Sequence, residues 1–342
     1  MKLSDIYKAA VEAGIRRDPR GEKEVRAALA REKKRYSAMS EKEKKFYDSE
    51  KLSNPYADSR IIYDNGADIK SVLVGIDIDT SEILLAEKLG EKGKKIDGII
   101  AHHPSGRAFA RFYDVMDMQA DIFSLYGVTI SAGQDLTEKR MKEVGEKIMA
   151  ANHYRAYDAA RLLDIPFMNM HTISDNAVAT YLQSRFDGEK PETVSDIMDM
   201  LYQEDEYRIS AERGIPPVVL TGAKERKVKK VFVDMTGGTE GSKEIYARLS
   251  AAGIDTLVGM HFSDDHKKAI QAAGMNAVIA GHISSDSLGI NLILDDIEKS
   301  EGQLKIYETS GFTRVKRGAC ESNNRRGLVP GKKRGNRGRS RR

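Results

Sequence analysis

Four apolar runs in this chain stop at histidine. They are Gly98-Ile99-Ile100-Ala101 before His102-His103, Ile165-Pro166-Phe167-Met168-Asn169-Met170 before His171, Leu257-Val258-Gly259-Met260 before His261, and Ala277-Val278-Ile279-Ala280-Gly281 before His282. Short apolar runs bordered by polar residues, glycine or proline read as buried strands. Open α/β sheets form their sites just beyond the carboxyl ends of the strands. A chain patterned this way delivers imidazoles from distant segments to one sheet edge. Two of the positions also carry an aspartate four residues on, His171 to Asp175 and His282 to Asp286, and residues so spaced share a helix face. Each pair alone has a rival reading as a helix N-terminus, with Ser174 or Asp175 as one cap and Ser284 as the other. Taken together, the strand-end imidazoles and their carboxylates read as a set of metal ligands rather than as independent caps.

The donor types narrow the metal chemistry. A single cysteine, Cys320, excludes an internal disulfide framework and a thiolate zinc knuckle, and points to a reducing cytoplasm. Ligation by His, Asp and water without sulfur suits Zn, Fe, Mn or Ni. The candidate ligands outnumber the three plus water of a catalytic zinc, which favours two divalent ions.

The pattern around these positions predicts an α/β fold of two similar halves joined into one metal-binding core. Residues 1–63 are charged and helix-favouring, and read as an N-terminal helical arm packed on the body or on a partner subunit. The core is expected over 64–312. Its first half, 64–175, should hold strands at 71–76, 96–101, 127–131 and 165–170, a helix capped by Thr80 or Ser81, and a long helix at 136–163. Linker helices fill 176–226, interrupted at Asp187-Gly188 and Pro191. The second half, 227–312, should hold strands at 228–234, 254–260, 276–280 and 304–308, with helices at 243–252 and 285–299. From Arg314 to the end stand twelve Lys and Arg against one acid, Glu321, so the net charge of +4 conceals an acidic body. The tail, 313–342, has too little apolar surface to fold and is expected to be disordered. It would attract nucleic acid or another polyanion in a salt-sensitive way. No apolar run approaches the roughly 18 residues of a membrane helix.

Weaker candidates surround the main motifs. Asp77 and Asp79 end the first strand, either as partners of an imidazole or as helix caps. His261 stands near Asp264 and Asp265 as a doubtful neighbour of the centre. Arg107 and Arg111 could meet a substrate phosphate or lie on a solvated helix face. Gly237 and Gly238 open a helix, where backbone N–H groups can cradle a phosphate, although an ordinary tight turn explains them too.

The motifs in their order resemble the dinuclear-metal-centre family called Nif-three-like, whose members are commonly labelled GTP cyclohydrolase I type 2 homologues. The resemblance is carried by Ile99-Ile100-Ala101-His102-His103-Pro104, by His171-Thr172-Ile173-Ser174-Asp175, by Ala280-Gly281-His282-Ile283-Ser284-Ser285-Asp286, and by Val228 to Gly241. It covers about 65–300. It implies an α/β fold in toroidal hexamers, with two metals held by His102, His103, Asp175, His282 and Asp286, and His171 beside them. This chain departs from the family at Asp286, where Glu is usual, at Val258-Gly259-Met260, where Thr-Gly-Glu is usual, and in the long helix between the first two motifs. The function expected is metal-dependent hydrolysis of a phosphoester or nucleotide-like substrate by an activated water. The alternative is a non-catalytic scaffold, metallochaperone or regulatory protein.

Overall fold

The computed structural model describes residues 1–317. Three helices come first: α1 (Leu3–Arg16), α2 (Glu22–Ser37) and α3 (Glu41–Lys44). Leu3, Ile6, Ala10, Ala13 and Ile15 of α1 have no exposure at all, whereas α2 buries only Val25. The first helix is therefore core, and only α2 and α3 lie outside it.

The first sheet has the order β1-β4-β3-β2-β9. After β1 (Ile61–Tyr63) come β2 (Ser71–Gly75), α4 (Thr80–Glu91) and β3 (Gly98–Ala101), which pairs parallel to β2 with Gly75 opposite Ala101. The cap of α4 is Asp79, one residue before the expected Thr80 or Ser81. Its carboxylate accepts from Thr80 N at 2.8 Å, and Glu82 returns the bond to Asp79 N at 2.9 Å, a capping box.

The stretch after β3 differs from expectation. It is all helical: α5 (Gly106–Ala110), α6 (Met118–Leu125), α7 (Ile130–Ile148) and α8 (Arg155–Leu162). The β-branched run Val128-Thr129-Ile130 mimics a strand, but Gly127, at φ +94°, closes α6 and Thr129 opens α7. A positive φ is a conformation that glycine adopts without steric cost. The expected long helix at 136–163 is two helices separated around Asn152.

Next come β4 (Phe167–Asn169), parallel to β3, then α9 (Thr172–Glu189), α10 (Val194–Tyr202) and α11 (Asp205–Glu212). The Asp187-Gly188 step lies inside α9; the real break is at Lys190, which is left-handed at φ 51°, and Pro191. The second sheet, β5-β8-β7-β6, is built from β5 (Val218–Thr221), β6 (Val231–Asp234), α12 (Ile245–Ala251), β7 (Thr256–Gly259), α13 (Asp264–Ala272) and β8 (Asn276–Ile279). The expected linker thus contains a strand, β5. Then α14 (His282–Glu301) leads to β9 (Lys305–Thr309), which crosses back to pair parallel with β2.

Leaving aside β9, which makes the first sheet five-stranded, the two halves match strand for strand. Both then have three parallel strands and an antiparallel edge strand, β1 or β5, that precedes them in sequence and pairs with the third. Val72, Val74, Ile100 and Met168 of the first sheet join Phe232, Leu257, Val258 and Ala277 of the second in one core with α1, α9 and α14. The alternate residues Leu73, Ile99 and Phe167 face α4 and α8, as the two-residue period of a strand requires.

Residues 313–317, expected to be disordered, are tied down by ion pairs. Arg314 Nη2 lies 2.5 Å from Asp295 and 3.1 Å from Glu298, and Arg317 Nη2 lies 2.7 Å from Glu206. The rest of the predicted tail, with Cys320, lies outside the described residues.

Candidate metal centre

The ends of β3, β4 and β8 meet where α9 and α14 begin. Past β3 the backbone still pairs with the first sheet, His102 N to Gly75 O and His103 N to Ile76 O, both at 3.0 Å. The rings of the two histidines lie 5.1 Å apart. His102 is buried at 1% exposure, while His103 is open at 27%. His103 Nδ1 lies 2.6 Å from Asp77 Oδ1. A carboxylate only accepts, so Nδ1 carries the hydrogen and the Nε2 lone pair faces inward, 3.8 Å from Asp286 Oδ2. Asp77 is therefore the partner that orients an imidazole.

His171 sits at the N-cap position of α9 without capping it. Its Nδ1 faces Asp58 Oδ2 at 2.7 Å, and Thr172 Oγ1 donates to the same oxygen at 2.6 Å. Its Nε2 turns to Asp175 Oδ2 at 3.8 Å. His282 Nε2 is 3.6 Å from Asp286 Oδ2. His102 Nε2 lies midway, 3.4 Å from both Asp175 Oδ1 and Asp286 Oδ1.

The capping alternative does not describe these aspartates. Both oxygens of Asp286, Oδ1 of Asp175 and Nδ1 of His102 are buried without any hydrogen-bond partner. Buried carboxylates left so would carry the cost of desolvation, and a cation is the group that offsets it. Three overlapping triads, His102/His103/His171, His103/His282/Asp286 and His102/Asp175/Asp286, could each hold a metal ion. Burial opposes ionisation throughout. Even so, the charge of His102 keeps the Asp286 carboxyl below its usual range, and Asp286 and Asp175 keep His102 well above its own. His282 falls below its ordinary value because burial dominates.

The approach of α9 to α14 makes this possible. Gly289 in α14 touches Ser174 of α9 so closely that a Cβ would stand 2.4 Å from the Ser174 carbonyl oxygen. Asp175 and Asp286 flank that crossing.

The centre opens into a cleft of about 410 Å³, whose far wall comes from the ends of β6 and β7. His261 lines this wall, its ring 4.8 Å from that of His282. Other candidates fall elsewhere. Asp79 caps α4 and pairs with Arg155. Arg107 and Arg111 do not line the cleft; they pair with Asp48 at 3.0 Å and with Asp114 at 2.7 Å. Gly238 lines the cleft, whereas Gly237 turns against Gln119.

Three carboxylates were missed from sequence. Asp58 follows the Asn54-Pro55 break in a segment with no periodicity, so nothing marked it. Asp234 ends β6 and Glu240 lies in the loop after it; the strand-end rule applied to histidines would have found Asp234. Burial, with the negative charge of Glu240, pushes the Asp234 carboxyl up to about 6. Because the folded value exceeds the unfolded one, the folded state binds the extra proton, and stability falls as pH rises from about 4 through about 6. In metal-free protein, Asp234→Asn is expected to remove that penalty. Discounted for cleft water, it is about 1 kcal/mol, roughly 1–2 °C in Tm at pH 8 with no gain at pH 4; thermal melts at the two pH values check it. Asp58→Asn is expected to weaken metal binding by about 10–100-fold through loss of the His171 orientation, read by competition with a chromophoric chelator.

Fold and site together define an α/β protein of two like halves around a buried His/Asp cluster that could hold metal. A solved NIF3 superfamily protein from Sphaerobacter thermophilus is similar to it at 28% identity and a TM-score of 0.65, over 75% of this chain and 92% of that one. This likeness supports a NIF3-like assignment for the chain. Reduced HcgD from Methanocaldococcus jannaschii (16% identity, TM-score 0.41, 73% of this chain and 87% of that one) and a Bacillus cereus protein related to NIF3 (12%, 0.41, 73% and 89%) are more distant and add nothing to the site. No protein-family profile and no curated protein matches the sequence.

Proposed function

We propose that this chain holds two divalent ions, drawn from Zn, Fe, Mn or Ni, and hydrolyses a phosphoester or nucleotide-like substrate. The observation that carries the reading is the fully buried, unpartnered Asp286 carboxylate between His102, His103 and His282. His102, His103, Asp175, His282 and Asp286 would hold the ions, and His171 joins them, since it completes a triad with His102 and His103. Asp286 contacts all three imidazoles and suits a bridging role, despite the side chain being one methylene shorter than Glu.

Bound here, two divalent ions supply Lewis-acid polarisation and a water acidic enough to ionise near neutral pH. The chain's own residues do the rest. Asp77 and Asp58 fix the ring orientations of His103 and His171. His103 and His282 face the cleft, 27% and 40% exposed, so the centre is reachable by a substrate. That opening favours hydrolysis over a closed metal scaffold.

The test is a screen of phosphodiesters, nucleotides and cyclic amides, with chelated and metal-restored protein side by side. Turnover lost on chelation and regained on metal addition is expected. Bound metal without turnover across the panel would favour the scaffold instead. Hexamer assembly belongs to the same proposal and is read by sedimentation. For the basic tail, removal of residues 318–342 is expected to abolish retention on heparin at low salt; unchanged retention removes the polyanion reading. Among the described residues, no helix is long and apolar enough to cross a membrane.

A further inference from the structure

The cleft wall opposite the metal cluster repeats the geometry of the first half with different side chains. Gly75 stands opposite Ala101 in the first sheet and Asp234 opposite Gly259 in the second. By that register His261 occupies the place of His103, two residues past its strand, and Asp234 the place of Gly75. His261 is held from behind. Its Nδ1 lies 3.5 Å from Glu240 Oε1, and the same oxygen accepts from Ser263 N at 2.7 Å. Asp234 is not so occupied: burial and the charges of Glu240 and His261 act on it, but no hydrogen bond from a described residue does. It lines the cleft together with the rings of Phe109, Phe112, Tyr246 and Phe262.

The charge of the cleft is as informative. Asp175, Asp234 and Glu240 line it, and among the described residues no Arg or Lys does. Sites for phosphate chains ordinarily supply guanidinium or ammonium groups. Sites for flat neutral ligands are apolar and aromatic with a few convergent polar groups.

We propose that this wall recognises an uncharged, amino-substituted heteroaromatic ring, whose N–H edge donates to Asp234 while the aromatic side chains cover its faces. The ring would lie across the cleft from the ions and present its reacting atom to them. The substrate of the centre is then a nucleoside-like or free heterocycle rather than a polyphosphate. This rests on the proposed function for the position of the reacting group; the ring contact itself requires no metal.

The probe is 2-aminopurine riboside, whose fluorescence is read without interference because the chain has no tryptophan. Full-length protein is titrated in metal-loaded and chelator-treated forms, with the 5′-triphosphate of the same nucleoside and with purine riboside, which lacks the amino group, as competitors. The riboside is expected to bind at least about tenfold more tightly than either competitor, with or without metal. Asp234→Ala should weaken it by about tenfold and Asp234→Asn by less, with metal content unchanged in both. A triphosphate that binds as well as the riboside, equal competition by purine riboside, or an Asp234→Ala protein that folds and binds normally would each overturn the proposal. Riboside binding that vanishes on chelation overturns it too. Protein that purifies without metal yet binds the riboside as described would remove the hydrolase reading and leave this one standing.

Discussion

Asp286→Ala protein is expected to purify with at most one divalent ion where the wild type carries two, and to bind that ion at least about a hundredfold more weakly. The expectation follows from how many contacts pass through one side chain. Asp286 lies within 4 Å of His102, His103 and His282, and both of its oxygens lack any other partner. Loss of an outer residue that merely orients a ligand costs about 10–100-fold in metal affinity, so removal of a shared ligand should exceed that range. His103→Ala should lose less, because the triad it leaves, His102, Asp175 and Asp286, keeps both buried carboxylates, whereas the triad left by Asp286→Ala is all imidazole. Elemental analysis of wild type and both variants decides the matter. Two ions retained in the Asp286→Ala protein would dismantle the assignment.

The second large effect is structural. Gly289→Ala is expected to lower stability by about 3 kcal/mol and to weaken metal binding, although the residue touches no candidate ligand. Its Cβ would meet the Ser174 carbonyl oxygen at 2.4 Å and the carbonyl carbon at 2.8 Å. These are backbone atoms, so the contact is relieved only if α9 and α14 separate. Forcing extra volume into a packed core costs about 1–3 kcal/mol, sometimes more. Separation would also draw Asp175 away from Asp286, which His102 now meets at equal distances. Gly188→Ala is the control. It lies in α9 with nothing near its Cβ position, and should raise stability by about 0.5–1 kcal/mol through helix propensity. Denaturant unfolding of both, with and without metal, tests the pair. Equal small effects would mean that the two helices tolerate displacement.

What the sequence made legible was the set of side chains that strand ends must carry. The apolar runs located β3, β4, β7 and β8 to within a few residues. The His-to-Asp spacing of four located the first turns of α9 and α14. The strands that escaped were β1 and β5, three and four residues long. They are edge strands, and most of their residues are not fully buried, so they lack a continuous apolar signal. The false strand at 127–131 arose from β-branched residues at a helix start, where the preceding glycine turn decides the conformation. Asp58 could not be found because its role depends on chain distant in sequence: it meets His171, 113 residues away. The burial of α1 was half visible. Its sequence groups with the charged, helix-favouring stretches from Glu22 to Tyr36 and Ser40 to Lys51 as one arm packed on the body or a partner subunit, yet α1 itself is core.

The return of β9 to the first sheet bears on how the chain is made. Until residues 305–309 leave the ribosome, β2 has only one neighbour and offers an unpaired edge of Ser71-Val72-Leu73-Val74-Gly75, all of it buried in the finished protein. Unpaired apolar edges are where nascent chains associate wrongly. At a synthesis rate of roughly 5–20 residues per second, more than 200 residues separate the two strands, so that edge waits for on the order of ten seconds or longer. The first half cannot complete its sheet before the second half exists, and β9 fastens the end of the described chain to β2.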